Sequence, residues 1–128
     1  MITIQPNFDL DILSEHFTTC EDYTESVILE ELRYWRKNTD FLCIISSDDG
    51  VVDGFLIGYR NRNSLWLAQV WRKTGSDLET SRKALEIAKE WAIERGMTSI
   101  TFETKRDEMK AMSRISFSEF SVIMRCDL

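Results

Sequence analysis

The sequence predicts an α/β domain with a mixed, mostly antiparallel sheet and helices on both faces of that sheet. Three observations support this prediction. Residues 41–71 contain strand-like runs that two short turn clusters interrupt, residues 77–95 have the periodicity of a long amphipathic helix, and two shorter helical patterns precede the strands. No linker, repeat or low-complexity tract divides the 128 residues, so we expect a single domain over residues 1–128.

The first third of the chain predicts one short strand followed by two helices. Residues 2–5 alternate as a strand does, and Pro6 ends that strand. Asn7 is the expected N-cap of the first helix, and Asp22 with Glu25 has the spacing of a capping box that opens the second. The apolar positions that we expect to face the core are Leu10, Leu13, Phe17, Val27, Ile28, Leu32 and Trp35.

The middle of the chain predicts a three-stranded antiparallel meander. Its strands are residues 41–46, 51–59 and 64–71, and the connections between them are too short for anything but antiparallel neighbours. The long helix over residues 77–95 follows directly. Gly96 stands where a left-handed residue is expected to end that helix.

The remaining residues predict a strand at 97–103, a short helix at 107–114 and a final strand at 117–126. The expected order is therefore β-α-α-β-β-β-α-β-α-β. Because a strand, a long helix and another strand are consecutive, the third meander strand and the strand at 97–103 should lie parallel through a right-handed crossover.

Charge and composition exclude several classes of function. The net charge of −6 and the pI near 4.8 argue against nucleic acid as the main partner, because duplex binding depends on clustered Lys and Arg. No apolar run approaches the length of about 20 residues needed to cross a bilayer, and the first residues lack the pattern of a signal peptide. Cys20, Cys43 and Cys126 are odd in number and widely spaced, so neither a disulfide framework nor a metal site is indicated. We expect a cytoplasmic protein without a membrane partner.

The junction before the long helix is the candidate binding site. Ser76 is the expected N-cap, and Glu79 completes a capping box with it. Free amides at the start of a helix, beside the basic Arg72 and Lys73, form the kind of site that binds phosphate. Asp77 and Glu79 would also repel a phosphate, so the same residues support either a ligand site or a purely structural cap.

The order of elements and this junction resemble the GNAT superfamily of acyl-CoA N-acyltransferases, and residues 84–103 resemble the helix and following strand of many members. In that family the loop reads Gln or Arg, two residues, Gly, one residue, then Gly or Ala, and its amides hold the diphosphate of acetyl-CoA. Here Asp77 replaces the second small residue. The resemblance implies acetyl-CoA as cofactor, bound by Gln69, Val70, Trp71, Arg72, Lys73, Thr74, Gly75, Ser76 and Asp77.

The same resemblance implies transfer of an acetyl group to an amine, either a small molecule or a protein amine. The family's general acid is a Tyr, and Met112 stands at the matching position. Tyr59 is our candidate substitute for that acid. Glu103 is the candidate base, since Gln69, the other candidate on these strands, cannot titrate. His16, the single histidine, has no partner at catalytic spacing and is expected to serve in surface or core packing.

A second hypothesis is a GNAT-fold protein without catalytic activity. Asp77, Met112 and a tail too short for the family's last two strands favour this hypothesis. The stretch from Gln69 to Gly75 also resembles small GNAT-like proteins of tailed bacteriophages, which implies a virion or host-interaction role. The exposed final strand would permit pairing across a homodimer.

Overall fold

A computed structural model describes residues 1–103, 118–120 and 123–128 of the chain, with side chains for residues 1–102, 127 and 128. The described strands are β1 (Ile2–Ile4), β2 (Phe41–Asp48), β3 (Val51–Asn61), β4 (Ser64–Arg72), β5 (Ser99–Glu103), β6 (Ser118–Phe120) and β7 (Ile123–Asp127). The described helices are α1 (Leu10–Leu13), which runs into a 3-10 turn at Ser14–His16, α2 (Glu25–Asn38) and α3 (Leu78–Glu94). The strands form one sheet in the order β1-β2-β3-β4-β5-β7-β6.

The predicted meander of β2, β3 and β4 is confirmed, and both of its connections are tight turns. Asp49 and Gly50 have φ angles of 50° and 77°, the left-handed values that a two-residue hairpin turn requires. The prediction of a parallel neighbour is also confirmed, because β4 and β5 pair parallel with α3 between them in the sequence. Gly96, with φ of 74°, ends α3 as predicted.

Two apolar cores lie on opposite faces of the sheet. On one face, α3 packs Leu85, Ala88 and Trp91 against sheet residues that include Leu65 and Leu67. On the other, α1 and α2 pack over alternate sheet positions; the buried members are Leu10, Leu13, Phe17, Ile28, Leu32, Phe41, Cys43, Ile45, Phe55, Ile57 and Tyr59. The expectation of helices on both faces is therefore confirmed. Val27 is an exception to the predicted core, because its side chain is 42% exposed.

Both predicted caps of the first two helices are wrong by two residues. Asp9, and not Asn7, caps α1: its Oδ1 accepts a hydrogen bond from the Asp11 amide at 3.0 Å. Thr24 caps α2 and accepts from the Val27 amide at 3.4 Å. A backbone bridge between Cys20 and Tyr23 closes a turn around Asp22, so the chain cannot begin a helix there.

The predicted single strand at residues 117–126 is also wrong. Two strands, β6 and β7, occupy this stretch and pair antiparallel, with β7 between β5 and β6. The tail accommodates both because β6 is only three residues long. The predicted helix at residues 107–114 lies outside the described residues. None of the described helices is long and apolar enough to cross a membrane.

Candidate functional site

The strands β4 and β5 separate after a short parallel ladder. Their register pairs Ser64 with Ser99 and ends with Trp66 opposite Thr101. Strand β4 then continues to Arg72, paired with β3 on its other side. Among the described residues, one edge of β4 therefore has no pairing partner over residues 67–72, where β4 has left its parallel neighbour.

A β-bulge lies where this separation begins. Ile57 is opposite Gln69 and the next residue, Gly58, is opposite Leu67, so Ala68 is an extra residue in β4. Bulges bend the strand that carries them and increase its twist, which turns the rest of β4 away from β5. Gly58 permits the close approach here, since a Cβ at this position would lie 2.8 Å from the Trp66 carbonyl oxygen.

The loop after β4 leaves several amides free. Lys73 donates its amide to the Asp53 carbonyl at 2.8 Å, and Ser76 donates to the Lys73 carbonyl at 3.0 Å, which closes a turn. Within the described ranges, four amides of this loop have no acceptor, those of Thr74, Gly75, Asp77 and Leu78. Gly75 has φ of 85°, and a Cβ built on it would meet nothing within 4 Å. None of the described residues therefore fills the space beside Gly75.

The predicted capping box of Ser76 and Glu79 is wrong. Asp77 caps α3 instead, and its Oδ1 accepts from the Glu79 amide at 3.0 Å. The Ser76 amide is engaged in the preceding turn, so the helix begins one residue later than predicted. The Ser76 hydroxyl oxygen is left buried without a hydrogen-bond partner among the described residues.

Cationic side chains at the loop are available to a ligand. Arg72 and Lys73 are exposed, and neither forms an ion pair with a described residue. The Asp77 carboxylate lies at the helix start, with one oxygen bonded to the helix backbone. The loop thus combines free amides and two basic side chains with one acidic group that serves as a cap.

Tyr59 lies away from this loop. It is opposite Trp66 on β4, whereas Arg72 is opposite Gly54, so five residues of β3, or about 16 Å, separate the two positions. The Tyr59 hydroxyl is 3.4 Å from Glu31 Oε1, and Tyr23 donates to the other oxygen of that carboxylate. Burial and the neighbouring carboxylate raise the pKa of Tyr59 to about 12 and raise that of Tyr23 well above its usual range.

The other predicted catalytic positions are described only in part. Glu103 ends β5 opposite Ile123, and its side chain is outside the described side chains. Met112 lies outside the described residues altogether. Val70 is 46% exposed at the open stretch of β4.

The structure also brings together residues that are far apart in the sequence. Gln69 bonds through its side-chain amide to the main chain of Thr18, 51 positions away. His16 stacks on Trp71 with ring centroids 3.6 Å apart, and its Nε2 lies 3.1 Å from a Glu15 carboxylate oxygen. Neither contact has a signal in the spacing of the sequence, because each depends on how α1 is placed over the sheet.

Solved structures with the same architecture are GNAT acetyltransferases, although no family model and no curated protein sequence matches this chain. The PaiA N-acetyltransferase of Thermoplasma acidophilum, solved in complex with coenzyme A, superposes with a TM-score of 0.76 at 16% identity over 100% of this chain and 99% of its own. The IAA acetyltransferase of Bacillus cereus gives a TM-score of 0.75 at 12% identity, with 100% of both chains covered.

The ribosomal-protein-S18-alanine N-acetyltransferase of Escherichia coli gives a TM-score of 0.74 at 14% identity, over 99% of this chain and 94% of that one. At these identities the similarity concerns the fold and not the chemistry. The resemblance that the sequence indicated is confirmed at that level: the chain has the fold of the GNAT acetyltransferases.

Proposed function

We propose that this protein is an acyl-CoA-dependent N-acetyltransferase that transfers an acetyl group to an amine. The observation that carries the proposal is that, among the described residues, one edge of β4 is unpaired beyond Trp66 and leads directly into a loop in which four amides lack an acceptor. A groove bounded by unpaired backbone and ending at a helix start suits a long ligand with a diphosphate group.

The residues present fit such a cofactor. The amides of Thr74, Gly75, Asp77 and Leu78 would bind the diphosphate. The buried Ser76 hydroxyl, which has no hydrogen-bond partner among the described residues, would add a donor. Arg72 and Lys73 would neutralise part of its charge. The backbone of β4 at Gln69, Val70 and Trp71 would hold the pantetheine arm, as an added strand is held.

Bound acetyl-CoA would supply the acetyl group as a thioester, which an amine can attack. The chain's own contribution is to orient that amine and to exclude water around it. Glu103 is the proposed base that receives the proton of the amine. As the bond from the amine nitrogen to the acetyl carbon forms, the C–S bond would break and the CoA thiolate would take up a proton. Tyr59 remains the candidate acid that would supply this proton, and its hydroxyl would have to leave Glu31 in order to do so.

Charge distribution supports an amine as the acceptor. Residues 1–32 contain eight Asp or Glu and no Lys or Arg. The negative charge of this segment is therefore larger than the net charge of the whole chain, which is −6. These residues form β1, α1 and the first half of α2, and the helices cover the face of the sheet opposite α3. A negative surface attracts protonated amines and raises their local concentration.

Isothermal titration with CoA tests the proposal. We expect saturable binding with a dissociation constant in the micromolar range, or about −8 kcal/mol. Acetyl transfer is then measured with acetyl-CoA and a panel of amines that includes spermidine, aminoglycosides and a peptide with a free N-terminus. The absence of binding heat at about 1 mM CoA would contradict the proposal.

The position of Asp77 favours a second candidate function. A carboxylate bonded at the start of α3 places a negative charge next to the proposed diphosphate site. If CoA does not bind, we propose instead that the chain is a catalytically inactive GNAT-fold protein of a virion or a host-interaction complex. Such a role would be supported by a stable homodimer or complex that is unaffected by Arg72→Ala.

A further inference from the structure

The side chain of Gln69 connects the open stretch of β4 to the segment that follows α1. Its Oε1 accepts a hydrogen bond from the Thr18 amide at 2.7 Å, and its Nε2 donates to the Thr18 carbonyl at 3.4 Å. Gln69 is only 5% exposed. A primary amide that accepts from and donates to the main chain of one residue reproduces the bonding of a neighbouring strand. Gln69 therefore holds Thr18 against the sheet.

The two residues before Thr18 contact the same end of the sheet. His16 stacks on Trp71 with an interplanar angle of 11°, and Phe17 meets Phe55 edge to face at a centroid distance of 6.1 Å. Phe17 is buried, whereas Thr18 is exposed. The stacked and buried rings fix where the segment arrives, and the side-chain amide fixes the first residue of the exposed loop that follows.

That loop, residues 18–23, is held at its other end by a second set of contacts. Cys20 and Tyr23 exchange two backbone hydrogen bonds of 3.1 Å, and the Tyr23 hydroxyl bonds to Glu31 on α2. Residues 18–22 between these anchors are exposed. The 18–23 loop is thus an exposed segment that, within the described part of the chain, is hydrogen-bonded to β4 through the side chain of Gln69.

We propose that Gln69 is a positioning residue that couples the cleft beside β4 to the 18–23 loop. The proposal rests on the proposed function, because the ligand of that cleft is CoA. Gln69 follows the bulge at Ala68 and lies beyond the last pair of β4 with β5. A ligand that bonds to the backbone here restrains Gln69, the residue that holds Thr18. Ligand binding therefore orders the 18–23 loop. Because such coupling is reciprocal, an ordered loop favours ligand binding by the same free energy.

Hydrogen exchange measured by mass spectrometry on the whole chain tests this coupling, with and without saturating CoA. Gln69→Leu removes both bonds to Thr18, whereas Gln69→Glu keeps an acceptor for the Thr18 amide. Without ligand, we expect exchange in the peptide that covers Thr18 to be roughly tenfold faster in Gln69→Leu than in the wild type. Gln69→Glu should give an intermediate rate, because it keeps the acceptor but turns a carboxylate oxygen toward the Thr18 carbonyl. Gln5→Leu is the matched control, since the Gln5 side chain is exposed and donates to the Thr3 hydroxyl, away from the 18–23 loop.

With CoA present, exchange in this peptide should slow in the wild type and not in Gln69→Leu. Equal exchange rates in the wild type and Gln69→Leu without ligand would overturn the claim that Gln69 restrains the 18–23 loop. CoA binding that slows exchange equally in both proteins, or in neither, would overturn the coupling. If calorimetry detects no CoA binding, the coupling fails together with the proposed function, and the ligand-free comparison still decides whether Gln69 holds the loop.

A second variant breaks the same bond from the other side. Thr18→Pro removes the donor amide, and Phe17 already has the extended backbone, φ −68° and ψ 142°, that a following proline requires. Circular dichroism establishes that each variant is folded. If Gln69→Leu does not fold, Thr18→Pro replaces it, and exchange at residues 19–22 is expected to accelerate in the same way; an unchanged rate there would overturn the proposal.

Discussion

Asp77 and Glu79 are joined by a hydrogen bond across the first turn of α3, from the Glu79 amide to Asp77 Oδ1 at 3.0 Å. This bond satisfies one amide at the start of the helix, whereas the amides of Asp77 and Leu78 have no acceptor among the described residues. The same carboxylate therefore stabilises the helix and places a negative charge next to a proposed diphosphate site. The two effects can be separated by substitution.

Asp77→Asn should tighten CoA binding by about fivefold without loss of stability. Asparagine caps helices as well as aspartate does, and the substitution removes one charge near the diphosphate. Calorimetry and thermal unfolding measure the two quantities. Asp9→Asn, at the corresponding cap of α1, is the control and should leave CoA binding unchanged. Weaker CoA binding by Asp77→Asn would mean that the carboxylate does not oppose the ligand.

Gly75→Ala should weaken CoA binding and lower the free energy of unfolding by about 1–2 kcal/mol, because an L-residue is strained at φ of 85°. Gly96→Ala is a matched control with φ of 74° and equally open surroundings, at the other end of α3. Both variants should lose similar stability in urea unfolding. Only Gly75→Ala should bind CoA less tightly. An equal loss of CoA affinity in both variants would contradict a CoA site at the loop after β4.

Arg72→Ala should weaken CoA binding by about tenfold at low salt and by less at high salt, because an exposed cation acts through screened attraction. Calorimetry at two ionic strengths checks both parts of this expectation. Lys37→Ala, which removes an exposed cation in the last turn of α2, should have no effect on CoA. A salt-independent loss in Arg72→Ala would point to a structural role for the side chain.

Tyr59→Phe should change how stability depends on pH. The pKa of Tyr59 is raised to about 12 in the folded protein from an ordinary value near 10, so the folded state holds this proton more tightly. The resulting stabilisation is fully present below about pH 10 and is lost as the pH rises toward 12. The free energy of unfolding, measured in urea between pH 8 and 11, should therefore fall less steeply with pH for Tyr59→Phe than for the wild type.

Tyr34→Phe is the control for this measurement. The Tyr34 side chain is 57% exposed, and its hydroxyl has no hydrogen-bond partner in the described part of the chain. Its pH profile shows what the loss of an exposed tyrosine hydroxyl does to the measurement, and the profile of Tyr59→Phe is compared with it. An identical profile for Tyr59→Phe would show that Tyr59 titrates with its ordinary pKa.

Local sequence signals predicted the meander, α3 and its glycine stop, because turn residues and apolar periodicity act over a few positions. The same signals misplaced three caps. Asn7, Asp22 and Ser76 are all good capping residues, and each lies close to a better-placed Asp or Thr that the fold selects. The short β6 was missed because three residues carry almost no periodicity.

The sequence by itself determined the order of elements as far as β5, the parallel crossover and the basic, glycine-containing loop after β4. Only the tertiary structure decided where β4 leaves β5, that Ala68 forms a bulge, and that Gln69 bonds to Thr18. The reason is that these features depend on the register between strands and on the packing of α1 over the sheet. The register and the packing are set by burial summed over the two cores. Each core is formed by residues from distant parts of the chain, so no short stretch of sequence specifies it.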